Sequence, residues 1–400
     1  MLDNAALQDR KPPTIIELVD TMAANHLNIG FDIVANEPFK TGPLPWDCTT
    51  SQRPWTDTDD NRLYALLQEL VGLKSKSDML MALDIAAKDR SFDPLRQMIE
   101  SFSWDGTPRA ETIFTDCLGA EDEPYTRAAA RVFLCEAMER VFRPGSKADY
   151  LPILAGPGGI GKSTFCRSLA VKDRFFSDCL TNMGDVKSTG ELNRGKWIIE
   201  LPELAGMSDR NLEAVKASVT RQYDEFRGAY CRRTESFPRR VVYIGTTNEA
   251  DFIRDQTSGA RRFLPIQCGV LNPATPAFSQ AFSHAVTQIW AEVREWRESK
   301  DPRFATVLSP EMEEEAAKQR MCFMAEDPNV ELINAYLNKS TDHLICTFEI
   351  LDNVLHLSRD RKNCADVSKI LSTQCPGWVP AKKRKCGDYG KQRCWEFRGL

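Results

Sequence analysis

Hydrophobic and polar positions change their period several times along the chain, and each change predicts a different kind of element. Residues 1–56 hold no sustained period, and Pro38, Pro43, Pro45 and Pro54 interrupt every run, which predicts an irregular segment. From Asp57 onward apolar residues recur at helical spacing over 61–71, 79–88 and 125–141, until Pro144-Gly145 stops the pattern. A helical region over 57–147 follows from this. Between 148 and 270 short apolar runs (150–155, 196–201, 240–245) alternate with helical stretches, the texture of an α/β domain built on a parallel sheet. Helical spacing returns over 280–298 and 310–326, giving a helical connector at 271–328. The last segment, 329–400, reads as two helices (348–357 and 366–372), a turn at 387–390 and a strand at 392–397. Helix, helix and two-stranded hairpin is the order of a small winged-helix-like domain.

The 148–270 segment carries the clearest chemistry. Gly156-Pro157-Gly158-Gly159-Ile160-Gly161-Lys162-Ser163 satisfies GxxxxGK[ST] at every required position and is followed by Thr164. A predicted buried strand precedes it and a predicted helix follows. That order lets backbone N–H groups curl around phosphates while the helix N-terminus adds its positive dipole. Lys162 is expected to reach the β- and γ-phosphates of ATP, and the Ser163 hydroxyl to hold Mg²⁺. A chance glycine-rich turn is the bland alternative, which the flanking strand and helix disfavour.

Composition adds boundaries rather than function. With 400 residues, 42% hydrophobic and 27% charged, the chain has the profile of a soluble globular protein of two or three domains. No apolar run is long enough to span a bilayer, and the first residues lack the core of a secretory signal, so a cytoplasmic location is expected. Thirteen cysteines without a CxxC pair favour reduced thiols over disulfides, and the spacing of Cys364, Cys375, Cys386 and Cys394 fits no common zinc module. A net charge of −5 does not advertise nucleic-acid binding, yet a local basic patch matters more than the total.

Three further elements belong with the loop. Residues 196–203 form an apolar run ending in Glu200-Leu201-Pro202-Glu203. Glu200 is the candidate for metal or water positioning and Glu203 for the catalytic base, roles that are open to exchange. Residues 240–248 end on Asn248, placed to bond the γ-phosphate or the attacking water; an Asn that merely caps the next segment is the alternative. Arg261 and Arg262, before the apolar run 263–266, are candidates for an arginine finger offered to a neighbouring subunit, against a solvated ion pair.

Taken together these residues resemble the virulence-associated E family, also described as VirE-like or VapE-like, of phosphate-loop ATPases found on prophages and pathogenicity islands. The likeness extends to Trp104-Asp105-Gly106-Thr107-Pro108-Arg109, to ELPEL at 200–204, to GTTNEADFIRD at 245–255 and to GARRFLPI at 259–266. It is strong over about 57–270 and loose elsewhere. The family is similar to superfamily 3 helicases, which implies an AAA+-like core, a homo-oligomeric ring with a hexamer favoured, ATP hydrolysis at subunit interfaces and DNA as partner. Superfamily 3 proteins usually carry adjacent acids where Leu201-Pro202 here separate Glu200 from Glu203. Larger relatives carry an N-terminal primase or polymerase, so this chain is expected to act as a stand-alone motor beside a separate primase.

Such a motor needs basic and aromatic side chains facing the DNA. The block 216–240 supplies Lys216, Arg221, Arg227, Tyr230, Arg232, Arg233, Arg239 and Arg240, interleaved with Tyr223 and Phe226, a mixture suited to phosphate contact and base stacking on single-stranded DNA. About half are expected to be structural. Lys382-Lys383-Arg384-Lys385 forms a second basic run, suited to the backbone of duplex DNA, with a partner-binding module as the alternative. The leading reading is a helicase-type ATPase in replication of a prophage or mobile element. A non-unwinding AAA+ initiator, loader or interference factor and, in another class, a phosphate-loop phosphotransferase remain as alternatives.

Overall fold

The computed structural model describes residues 11–179, 185–204, 209–227, 233–249, 252–253, 260–324, 328–340, 344–386 and 389–399. They form two compact units, Met1–Phe323 and Met324–Leu400. Tyr230 and Arg232 lie outside the described residues, as do parts of the motif runs 245–255 and 259–266.

The N-terminal segment departs from the sequence reading, because residues 15–40 hold a helix and two strands and residues 53–54 a third strand. Helix α1 (Ile15–Ala24) starts at a capping box of Thr14 and Glu17. It packs with α2 (Asp57–Val71) and α3 (Lys76–Lys88) over the short strands β1 (Ile29–Asp32), β2 (Glu37–Lys40), β3 (Arg53–Pro54) and β4 (Ser91–Phe92). These pair in the order β3-β2-β1-β4, with β4 parallel to β1 and the others antiparallel. The prolines that hid the pattern sit where a strand tolerates them. Pro54 is on an edge strand, and the Pro38 carbonyl still accepts from Trp55 N at 3.1 Å.

The larger core joins α4 (Pro94–Glu100), α5 (Ile113–Leu118) and α6 (Pro124–Phe142) to a parallel sheet. The sheet strands are β5 (Leu151–Ala155), β6 (Phe176–Ser177), β7 (Ile198–Leu201), β10 (Val242–Thr247) and β11 (Phe263–Gln267). Their order is β11-β5-β10-β7-β6, all parallel. Between β5 and β7 in sequence run α7 (Lys162–Leu169) and α8 (Val186–Asn193). Helix α9 (Asp209–Val219) and the antiparallel pair β8 (Tyr223–Phe226) and β9 (Glu235–Pro238) intervene before β10.

After β11 come α10 (Gln280–Ser299) and α11 (Pro310–Cys322). The apolar core is continuous from Val34 to Ala316, so the segments read separately as helical region, α/β core and connector share one interior. Indole packing shows how. Trp290 of α10 lies 4.4 Å from the Trp197 ring and donates to Leu169 O at 2.8 Å, and Trp197 donates to Ala137 O of α6. The tryptophan-aspartate-glycine turn before α5 is clasped to the same helix α10. Glu292 accepts from Arg109 N and Ala110 N at 2.7 and 2.9 Å, while Gln288 accepts from Asp105 N.

In the second unit α12 (Pro328–Lys339) and β12 (Leu344–Cys346) precede α13 (Thr347–Ile350), which continues through a π-helical turn. Then follow α14 (Arg361–Thr373), β13 (Trp378–Lys385) and β14 (Lys391–Phe397). The strands pair antiparallel in the order β12-β14-β13. Helix α12 and strand β12 were not anticipated. The basic run Lys382–Lys385 lies on β13, where the register shifts between Ala381 and Arg384, and all four side chains are exposed.

Candidate functional site

The parallel sheet sets the site. Strands β5, β10 and β7 are neighbours and run the same way, so the residues after their carboxyl ends converge on one edge, the usual ligand position in an open α/β sheet. Those residues are the glycine-rich loop, Asn248 and the Glu200–Glu203 turn. Distant in sequence, they meet because β10 is inserted between the loop strand and the acidic strand.

The loop is built around close approach. A Cβ on Gly156 would sit 2.5 Å from the Cys268 carbonyl oxygen, so only glycine lets β5 turn under the loop. Gly161 caps α7 at φ 94, a backbone region that favours glycine. Gly158 and Gly159 face open space, where a Cβ would meet nothing within 4 Å. Lys162 folds back beneath this opening. Its ammonium donates to Gly156 O at 2.7 Å, Pro157 O at 2.8 Å and Asn248 Oδ1 at 2.9 Å. Burial lowers its pKa, opposed by Cys268, Glu203 and Glu200 nearby. Cys268 itself is an inert neighbour, its thiol pushed up to about 12 by burial.

Glu200 is 2% exposed and fixed from two sides. Ser163 Oγ and Thr246 Oγ1 each donate to Glu200 Oε1 at 2.7 Å. Two hydroxyls and a carboxylate form an all-oxygen donor set, which fits a hard divalent cation such as Mg²⁺. Thr246 was not singled out from the sequence; its place two residues before Asn248 on the same strand was the available signal. Glu203 differs from Glu200 in kind. It is exposed, at φ 50, in the turn after β7. A non-glycine residue held there costs energy that is often retained at working sites.

The remaining predicted residues divide. Arg262 donates to Lys216 O at 3.1 Å, whereas the Arg261 side chain is exposed. Lys216 is 5% exposed, and its ammonium is held by Glu213 at 2.8 Å over the Phe263 ring, so this candidate is withdrawn from any DNA surface. Arg239 is buried in a bidentate pair with Asp224, and Arg240 pairs with Asp93 at 2.6 Å; both brace the base of the β8–β9 hairpin. Arg227 and Arg233 are exposed on the two limbs beyond the paired residues.

A family model, the virulence-associated protein E-like domain, matches residues 99–325. The chain belongs to this family. No curated protein matches it. Two solved structures of the NrS-1 C-terminal region are similar in fold: the apo structure of residues 305–718 at 13% identity, and its A form at 10%. Each is covered over 100% of its length, against 97% and 96% of this virulence-associated protein E-like chain, with a TM-score of 0.50 in both cases. No helix among the described residues is long and apolar enough to cross a membrane.

Proposed function

We propose that the chain is an ATP-hydrolysing motor of the phosphate-loop, AAA+-like class that acts on DNA in the replication of a mobile element. The observation that carries this reading is the meeting of Lys162, Ser163, Glu200 and Asn248 at the carboxyl ends of three adjacent parallel strands. The open face over Gly158 and Gly159 has room for phosphate groups, and the Lys162 ammonium is held there by oxygen acceptors that an incoming phosphate would replace. Ser163 and Glu200 would hold Mg²⁺, directly or through water, and the ion would supply charge neutralisation on the phosphates.

In this scheme Gly156 to Thr164 bind the triphosphate through backbone N–H groups and Lys162 supplies a point charge at the β- and γ-phosphates. Asn248 leaves Lys162 to orient the γ-phosphate or water. The buried, doubly anchored Glu200 serves positioning, and the exposed Glu203 accepts the water's proton. Arg261, exposed while Arg262 is occupied by Lys216 O, is the favoured finger for a neighbouring subunit in a ring. Arg227 and Arg233 on the β8–β9 limbs supply phosphate contacts to single-stranded DNA. In the second unit, the order helix, strand, helix, helix, strand, strand supports a winged-helix-like module whose exposed Lys382–Lys385 would lie along duplex DNA. Family membership supports the setting in mobile-element replication. ATP turnover measured with and without single-stranded DNA, beside a strand-separation assay, tests this reading. Absence of turnover under both conditions would overturn it, and DNA-stimulated turnover without unwinding would replace the helicase with a remodelling ATPase.

A further inference from the structure

Lys162, Ser163, Glu200 and Asn248 all act at the phosphate end of a nucleotide, and none of them offers a seat for its base. The segment after β11 runs along the loop at two points. A Cβ on Gly269 would lie 3.3 Å from Pro157 Cδ and 3.6 Å from Ile160 Cδ1. A Cβ on Gly161 would lie 3.2 Å from Ala277 Cβ and 3.4 Å from Phe278 Cδ1. Between these contacts the backbone is tied to α5 and the residues after it: Val270 N and Leu271 N donate to Gly119 O, and Thr275 N to Asp116 O. The segment is therefore held in place along one side of the loop. Its largest apolar side chains nevertheless face water, Val270 at 46%, Leu271 at 47% and Phe278 at 70% exposure.

Leaving such side chains in water forgoes the gain that burial would bring. Exposed apolar side chains on fixed backbone beside a polar site are the kind of surface that a ligand completes. The ligand at this position is already constrained, because its phosphates occupy the adjoining loop. A nucleobase has apolar ring faces and stacks on aromatic side chains.

We propose that residues 270–278 form the base seat of the nucleotide site and that Phe278 stacks on the base. This rests on the nucleotide reading given above. Val270, Leu271 and Phe278 offer ring-face contact and no hydrogen-bonding edge, so they favour purines over pyrimidines by stacking area.

The test is calorimetric titration of the full chain, in Mg²⁺, with ATP, CTP and inorganic tripolyphosphate. Phe278→Ala should weaken ATP by about tenfold or more, the loss expected for one stacked base. It should leave tripolyphosphate binding unchanged and shrink the preference for ATP over CTP, and Phe278→Trp should restore both. Equal ATP affinity in Phe278→Ala and the natural chain would overturn the base seat, as would an equal loss of ATP and tripolyphosphate. Failure of the nucleotide reading looks different: the natural chain would bind neither ligand, or Lys162→Ala would bind both as well as the natural chain does.

Discussion

At the residue scale the two carboxylates of the acidic turn illustrate how environment divides labour between like groups. Glu200 spends one oxygen on Ser163 and Thr246 and is sealed from solvent, so it is poised to hold rather than to react. Glu203 stands exposed in a left-handed turn. Glu203→Gln should therefore bind ATP normally and hydrolyse it slowly, since the amide keeps the shape and loses the proton acceptor. Glu200→Gln should instead weaken Mg²⁺-dependent binding, because it removes the charge from the oxygen donor set. Nucleotide binding and single-turnover hydrolysis, measured side by side in the two variants, check this; the reverse pattern would exchange the roles. Lys162→Ala should retain the fold and lose turnover altogether, and ordinary turnover in that variant would remove the loop from the mechanism. The loop, Glu200 and Asn248 were legible in the sequence because each is a short local signal at a strand end. Thr246 was not, because a threonine within a strand carries no signal until its neighbour on the adjacent strand is known.

Elements show where sequence reading reaches and where it stops. The parallel strands and the long helices carry their period in full, so β5, β7, β10 and α10 fall where the pattern puts them. The N-terminal sheet did not, since strands as short as β3 and β4 have too few residues to show alternation, and the prolines within β2 and the edge strand β3 look like breakers. Helix α6 is readable as a helix, but it is buried on almost every side and conceals a buried carboxyl that only tertiary structure shows. Glu136 accepts from Asp149 N and Tyr150 N, and burial pushes its carboxyl up to about 8. The folded state thus keeps a proton there between the ordinary carboxylate range and about pH 8, while the unfolded chain has lost it. Over that window stability should fall as pH rises. Glu136→Gln, which cannot ionise, should flatten this dependence, and urea midpoints at pH 6 and pH 8.5 in the two proteins measure it. The basic strand β13 answers to a different probe. If Lys382, Lys383, Arg384 and Lys385 all contact duplex phosphates, replacing them with alanine should make the salt slope of binding shallower by up to about 3.6, at roughly 0.9 per contact. Basal ATP hydrolysis should not change, because these residues are remote in sequence from the loop and lie in the other compact unit. An unchanged slope would turn β13 into a partner-binding surface.

For the whole molecule the decisive issue is whether one chain holds a complete site. Lys162, Glu200, Glu203 and Asn248 are present within a single copy, yet none of them supplies a mobile positive charge to offset charge developing on the γ-phosphate. Lys162 is anchored in the loop, and Arg239 and Arg240 are consumed by Asp224 and Asp93. Among the described residues Arg261 is the exposed cation next in sequence after the Asn248 strand, and its neighbour Arg262 is tied to Lys216 O. A site completed only by a second copy would give this exposed arginine a charge to meet. Arg261→Ala should then cost on the order of a thousandfold or more in turnover while ATP binding persists. Mixing Arg261→Ala subunits with Lys162→Ala subunits should recover part of the activity that each lacks alone, because a mixed ring contains an intact loop facing an intact finger. Particle mass with an ATP analogue and DNA verifies that mixed assemblies form. Recovery in confirmed mixtures establishes action across the interface; none, with mixing confirmed, assigns Arg261 to its own chain's site.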